Sequence, residues 1–317
     1  MHVDEHTIQL DDSPIYYRTA EAARTVPVLY LHGIPTSSDD WVEFLAATGG
    51  IAPDLVGFGR SGKGGHLDFS LDGLTDFVED FLSHLGADEV RIVGHDWGAA
   101  VALKLTRRQP ERVQRLVLCN APPLIEGFEW PLLARLWRAR WVGEFLMGST
   151  TKWMLARTLR HGCVRADAWD ETQIDAIWNQ FDQGTQRAIL RLVRSAQENM
   201  LGGSGSHAAW GSEGASHATG GSEGASHAAW GAEGASHTGG GSEGESPATG
   251  GSENGHEAAI PIDLIWSDQD PWYPPALADE YAARLPGARI ERIAGAGHWP
   301  WLDRPEVVER VAALLEE

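Results

Sequence analysis

An α/β architecture, with a mostly parallel twisted sheet covered by helices on both faces, is what the sequence predicts. Three observations carry that expectation. Short β-branched apolar runs alternate with amphipathic helical patterns along most of the 317 residues; one long stretch is helical throughout; and one segment is built of near-identical ten-residue repeats.

The first strand signal is VPVLYLHG (26–33), an unbroken apolar run of the kind a strand buried on both faces requires. LDGLTDFVEDFLSHLG follows with helical spacing and a closing glycine. VRIVGHD (90–96) is the next strand, GAAVALKLTRRQP the next helix, and VQRLVLCN (113–120) the strand after it. Residues 122–184 break the alternation: they are rich in Trp and Arg, helical in pattern and without a convincing strand, and read as a helical cap. TQRAILRLVRSAQ, within 185–200, reads as the helix that returns to the core. Strand IPIDLIWS (260–267), helix ALADEYAARLPG, strand-and-turn ARIERIAGAGH (288–298) and helix PEVVERVAALLEE complete the pattern. The core is therefore expected in two parts, 1–121 and 257–317, with the cap and the repeats between them.

The repeats occupy 201–256 in constant register, as in GSEGASHATG and GSEGASHAAW. The stretch 201–260 holds 17 of the 37 glycines and seven glutamates but no Asp, Lys or Arg. Such a composition offers too little apolar surface to offset the entropy of ordering its backbone, so a disordered low-complexity insertion is expected. Its His207, His217, His227 and His237, each with a Glu six residues on, raise the alternative of a metal tract. Ten extended residues span roughly 33 Å, so nothing holds such ligands together in advance. Trp210 and Trp230 are too few large side chains for a stacked solenoid.

A 42% apolar content is enough to bury a full-sized core. The net charge of −20, from 25 basic and 45 acidic side chains, argues against nucleic acid and anionic lipid as partners of the whole chain. MHVDEHTIQLDD lacks the basic and apolar regions of a signal peptide, and no apolar run approaches eighteen residues. The expectation is a cytoplasmic enzyme with a small-molecule substrate, no membrane span, no cofactor and no metal, its oligomeric state left open. Cys119 and Cys163 read as small buried residues rather than a disulfide framework.

Within RIVGHDWGAAVAL, Gly94 and Gly98 flank Asp96 at the spacing of a nucleophile elbow, a strand-to-helix turn that exposes one side chain; the plain alternative is an aspartate capping a helix. Downstream, LIWSDQDPWYPP offers two acids, Asp268 and Asp270, and GAGHWPWLDRPEVV places His298 after a Gly-rich turn. The order is nucleophile, acid, base; Asp270 is preferred as the partner of His298, with Asp268 the alternative.

With these residues in that order the chain resembles the α/β-hydrolase family. It is closest to its aspartate-nucleophile branch, the haloalkane dehalogenases and epoxide hydrolases, with motifs nearest the former. LHGIPTSSDDW, carrying His32, Gly33, Ile34 and Pro35, matches the family's His-Gly-x-Pro loop, and APDLVGFGRSGK matches its turn after the fourth strand. His95 precedes the nucleophile position. The resemblance covers the chain outside 201–256 and implies the α/β-hydrolase fold with a helical cap.

A carboxylate is a poor nucleophile toward esters but displaces a leaving group from saturated carbon, giving an ordinary ester on Asp96. His298 would then activate water against that ester, with backbone N–H groups of Trp97 and Ile34 stabilising the oxyanion. The resemblance further implies that Trp97 holds a departing halide. Ile34 stands where many dehalogenases carry an Asn donor, and the cap tryptophans 130, 137, 141, 153, 169 and 178 offer the alternative. Epoxide hydrolases use cap tyrosines as acids; this cap has none, and Val193–Arg194 stands where a Tyr–Arg pair is usual. Carbon–halogen cleavage of a small apolar alkyl halide is therefore expected. Epoxide hydrolysis is the runner-up, and a catalytically silent binding protein is the reading from another class.

Overall fold

A computed structural model of the protein describes residues 1–21, 24–125, 129–196 and 260–317. The repeats, with the disorder, metal tract and solenoid considered for them, lie outside the described residues.

The chain begins with a hairpin, β1 (Val3–Leu10) and β2 (Ser13–Ala20). Its two-residue turn, Asp11–Asp12, has φ of +46° and +61°, the left-handed pair that a tight hairpin requires and Asp tolerates. Then come β3 (Val28–Leu31), α1 (Val42–Thr48), β4 (Gly50–Pro53), α2 (Leu71–His84), β5 (Val90–His95), α3 (Trp97–Arg108) and β6 (Val113–Cys119). Five helices follow without a strand: α4 (Leu132–Arg138), α5 (Val142–Gly148), α6 (Lys152–His161), α7 (Glu171–Gln180) and α8 (Gln183–Ser195). Beyond the repeats the core resumes with β7 (Ile262–Ser267), α9 (Ala276–Ala282), β8 (Arg289–Ile293), α10 (Pro300–Asp303) and α11 (Glu306–Glu316).

The eight strands form one sheet in the order β1-β2-β4-β3-β5-β6-β7-β8, parallel from β4 to β8 and antiparallel only at the β1–β2–β4 edge. This is the α/β-hydrolase fold. Central strands are apolar on both faces because helices cover both: every residue of β3 is buried, and so are Ile92, Val93 and Leu116–Cys119. A fully buried aliphatic or aromatic side chain contributes roughly 1.5–3 kcal/mol by leaving water, so these strands anchor the sheet. Helix starts are marked by polar caps: Ser70 Oγ accepts from the Gly73 N–H, Asp182 from Thr185, and Asp170 forms a reciprocal capping box with Gln173.

Strand order positions the site. The chain winds outward from β3 to β4, then returns across to β5, so the loops leaving β3 and β5 part at a switch point. Crevices at such points, outside the carboxyl ends of parallel strands, are where open α/β sheets hold ligands. No helix among the described residues is long and apolar enough to cross a membrane.

Candidate active site

Asp96 leaves β5 with φ +50° and ψ −123°. A non-glycine residue held there stores on the order of 1–3 kcal/mol, tolerated where the surroundings over-determine it. They do so here by close approach. A Cβ on Gly98 would lie 2.1 Å from the Leu31 carbonyl oxygen, and one on Gly94 would lie 2.7 Å from Ala99 Cα. A Cβ on Gly33 would lie 2.5 Å from Asp96 Oδ2, so the β3 loop reaches the carboxylate only because residue 33 is glycine. The next residue uses that access: the Ile34 N–H donates to Asp96 Oδ2 at 3.0 Å, and the Trp97 N–H at the start of α3 also serves the carboxylate. Pro35, joined to Ile34 by a cis peptide, lines the cavity above.

His298, from the turn after β8, and Asp270, from the loop after β7, meet with Nδ1 and Oδ2 2.7 Å apart. The other Asp270 oxygen accepts the Trp272 and Tyr273 N–H groups at 2.8 and 3.0 Å. Asp268 is elsewhere. It is exposed and accepts from the Gly295 N–H at 2.8 Å, closing the β8 turn. That bond takes Asp268 out of contention as the partner of His298, and the alternative acid is corrected to a turn cap. His298 Nε2 stands 3.9 Å from Asp96 Oδ1, beyond hydrogen-bond range.

The loop histidines are structural in their contacts. His32 Nε2 accepts the Leu55 N–H at 2.9 Å, which leaves Nδ1 as the donor to the Gly33 carbonyl at 2.8 Å. His95 Nε2 lies 2.8 Å from the His298 carbonyl and donates to it. Burial pushes the pKa of His32 down and that of His95 well down, so both stay neutral. Asn120, at the end of β6, donates to the same His298 carbonyl at 2.8 Å. The His298 N–H donates to the Gly162 carbonyl at 2.6 Å. These bonds hold the His298 backbone at both its carbonyl and its N–H, while Asp270 holds the ring.

One functional candidate escaped the sequence reading. Tyr273 is buried, lines the cavity and donates its hydroxyl to Asp96 Oδ1 at 2.7 Å. Tyr273 belongs to the core, three residues after Asp270, and not to the cap, where the epoxide hydrolase resemblance places its tyrosines. Asp-Pro-Trp-Tyr placed immediately after a strand end was the available signal.

Burial raises the Asp96 pKa against the opposing pull of His298 and its hydrogen bonds. Burial also disfavours a charged His298, but the Asp270 carboxylate, reinforced by Asp96 and Asp40, outweighs it and raises the His298 pKa. The Tyr273 phenol is pushed well up by burial and by Asp96, so it remains a neutral donor.

Above the carboxylate lies a cavity of about 170 Å³ with almost wholly apolar walls. Core residues Ile34, Trp97, Trp272 and Trp299 face Trp130, Trp137, Leu146, Met154 and Leu159 from the helical layer. The rings of Trp97 and Trp130 stack at 6.0 Å and 13°. The buried Nε1 groups of Trp130 and Trp299 have no partner among the described residues. Such a space suits a small apolar molecule whose leaving group is met by weak N–H donors. No group of three His, Cys, Asp or Glu suited to a metal occurs among the described residues. Cys119 and Cys163 are free thiols, both pushed up to about 12 by burial.

Comparison with known proteins bears on the fold. Residues 26–147 match the family model described as alpha/beta hydrolase fold. A haloalkane dehalogenase of Mesorhizobium japonicum is 40% identical over 110 residues, 33% of this chain and 35% of that protein. Epoxide hydrolase 1 of Caenorhabditis elegans is 32% identical over 124 residues, 38% of this chain and 31% of its own. The matched stretch spans about a third to a half of these curated relatives. Over the whole length, the crystal structure of a haloalkane dehalogenase of Bradyrhizobium elkani superposes with a TM-score of 0.71 at 21% identity, covering 99% of this chain and 98% of the other. The chain is therefore an α/β-hydrolase-fold protein, similar over about a third of its length to haloalkane dehalogenases and to an epoxide hydrolase.

Proposed function

We propose that this chain is a hydrolase that cleaves the carbon–halogen bond of a small apolar alkyl halide through an alkyl ester on Asp96. One observation carries the reading: the two oxygens of Asp96 have different surroundings. Oδ2 sits on the Ile34 N–H, while Oδ1 accepts the Tyr273 hydroxyl and is the oxygen beside His298, in a carboxylate that lines the apolar cavity. Oδ1 attacks the substrate carbon, the C–X bond breaks with its electron pair leaving on the halide, and Asp96 becomes an ester with Oδ2 as its carbonyl oxygen. His298 then takes a proton from water, whose oxygen attacks the Asp96 carboxyl carbon. The oxyanion forms on Oδ2, which already accepts the Ile34 N–H, with the Trp97 N–H also serving the carboxylate; collapse breaks the bond between the carboxyl carbon and the alkyl oxygen, and the imidazolium protonates that oxygen as the alcohol leaves. Asp270 holds Nδ1 protonated and stabilises the imidazolium.

The two steps help each other. Esterification removes the negative charge of Asp96 that helps to raise the His298 pKa, so the imidazole becomes available as a base when it is needed. Indole N–H groups of Trp97 and of Trp130 or Trp299 are the candidate halide donors.

Tyr273 favours a second reading with the same triad, epoxide hydrolysis. Its hydroxyl can follow the departing oxygen and protonate the alkoxide, which an indole N–H is too weak to do. A panel of bromoalkanes, chloroalkanes and terminal epoxides, followed in parallel for halide release and diol formation, tests the proposal. Halide release is expected to exceed diol formation. Diol formation alone assigns the second reading, and neither product would mark a silent binding protein.

A further inference from the structure

The cap segment carries nearly all the exposed large apolar side chains among the described residues. Among the described residues, every large apolar side chain that stands well into solvent, apart from Met1 and Val42, falls between Leu132 and Val164. Leu132, Trp141, Phe145 and Trp153 are 69–78% exposed. Scattered single residues of this kind need no explanation, but their confinement to one stretch of the cap, 132–164, does. Trp141 and Phe145 stand one turn apart at the start of α5, which packs on α4, the helix that presents Leu132.

The charge of this layer opposes that of the chain. Residues 132–165 contain seven Lys or Arg and one acid, Glu144, within a protein of net charge −20. Some of these cations are satisfied locally: Lys152 pairs with Asp175, Arg160 with Glu171 and Arg165 with Asp167. Arg135, Arg140 and Arg157 are exposed and have no carboxylate partner among the described residues. Two of them lie over the exposed indoles: Arg140 is 5.8 Å from the Trp141 ring and Arg157 is 6.0 Å from Trp153. Exposed Trp, Phe and Leu interleaved with unpaired Arg is the composition that seats at a bilayer headgroup region, rings at the interface and guanidinium groups on phosphates.

We propose that this face of the cap docks on an anionic lipid surface. The whole-chain charge, which argues against such a partner, hides a local patch of opposite sign, and the acidic remainder would orient the molecule with the cap toward the membrane. The same sign disfavours a symmetric contact between two copies of the patch, which would bring like charges together. Leu133 and Met154 both line the cavity and reach solvent on these helices, so the cavity opens on the docking face. The consequence that bilayer-dissolved substrates enter directly rests on the proposed reaction; the docking itself does not.

Flotation of the full chain with vesicles tests this, using phosphatidylcholine alone and phosphatidylcholine mixed with phosphatidylglycerol. The protein is expected to float with the anionic vesicles only, and less so as salt is raised. W141S/F145S/W153S and R135Q/R140Q/R157Q alter exposed side chains outside the cavity, and unchanged thermal unfolding checks that they fold. Each arginine near an anionic surface adds to binding, so neutralising three should weaken it roughly 100-fold. No flotation with anionic vesicles, equal flotation with neutral ones, or flotation unaffected by both triple variants overturns the proposal. A dimer in sedimentation that W141S/F145S/W153S dissolves, without vesicle binding, assigns the face to a second copy and overturns it too.

Discussion

The hydroxyl of Tyr273 donates to Asp96 Oδ1 at 2.7 Å, on the carboxylate oxygen that stands 3.9 Å from His298 Nε2. A donor there lowers the basicity of the attacking oxygen, and its phenol is a far stronger acid than an indole N–H. Tyr273→Phe therefore separates two chemistries that share one triad. With a bromoalkane, the alkylation rate should hold or rise, because Oδ1 loses a competing donor. With an epoxide, loss of a general acid should slow ring opening by roughly 10²–10⁴-fold. Single-turnover alkylation with both substrates reads the difference, and a large loss with the bromoalkane would count against the assignment of Tyr273 as dispensable for halide departure.

Trp97→Phe and Trp130→Phe keep the stacked aromatic pair but remove an N–H. If either indole supports the halide as charge develops, losing it should cost on the order of 2.7–4 kcal/mol of barrier, about 100-fold or more in bromoalkane alkylation. Epoxide opening by the same variants should change only through packing. An unchanged bromoalkane rate in both variants would remove the indoles from the mechanism.

The two half-reactions should respond differently to pH. Displacement needs ionised Asp96, whose pKa is raised by burial, so it is lost as pH falls through that value. Ester hydrolysis needs neutral His298. Burial works against its charged form, but the Asp270 carboxylate carries its pKa upward, so hydrolysis is lost as pH falls through that raised value. Wild-type protein quenched during turnover at about pH 5.5 should carry more adduct than at about pH 8.5. The reverse order would mean that His298 is not the base of the second step.

Much of the fold was legible because central strands announce themselves. VLYL, VRIVGH, VQRLVLC and IDLIWS are largely buried apolar runs, and all four lie inside the sheet rather than at either edge. What escaped was the polar edge. β1 alternates half-buried and exposed residues and carries His, Glu and Asp, so no apolar run marks it, and β4 is only the four residues Gly50–Pro53. The candidate site was legible where local geometry demands particular residues. Glycines at 94 and 98 are needed by close backbone approach, and a His after a glycine turn follows a strand end. Tyr273 was not, because its meeting with Asp96 spans 177 positions and is set by how the Asp270 loop folds back. The choice between Asp268 and Asp270 likewise needed three dimensions: two residues apart, one caps a turn and the other holds an imidazole.

The central claim is that Asp96 becomes covalently esterified and that His298 removes the ester. Replacing His298 with Asn or Phe should spare displacement and block hydrolysis, so intact-mass measurement after exposure to a bromoalkane should show one alkyl group added per chain, located by peptide mapping to Asp96. An unmodified mass, in a variant shown to fold and from a wild type shown to release halide, would contradict covalent catalysis at Asp96.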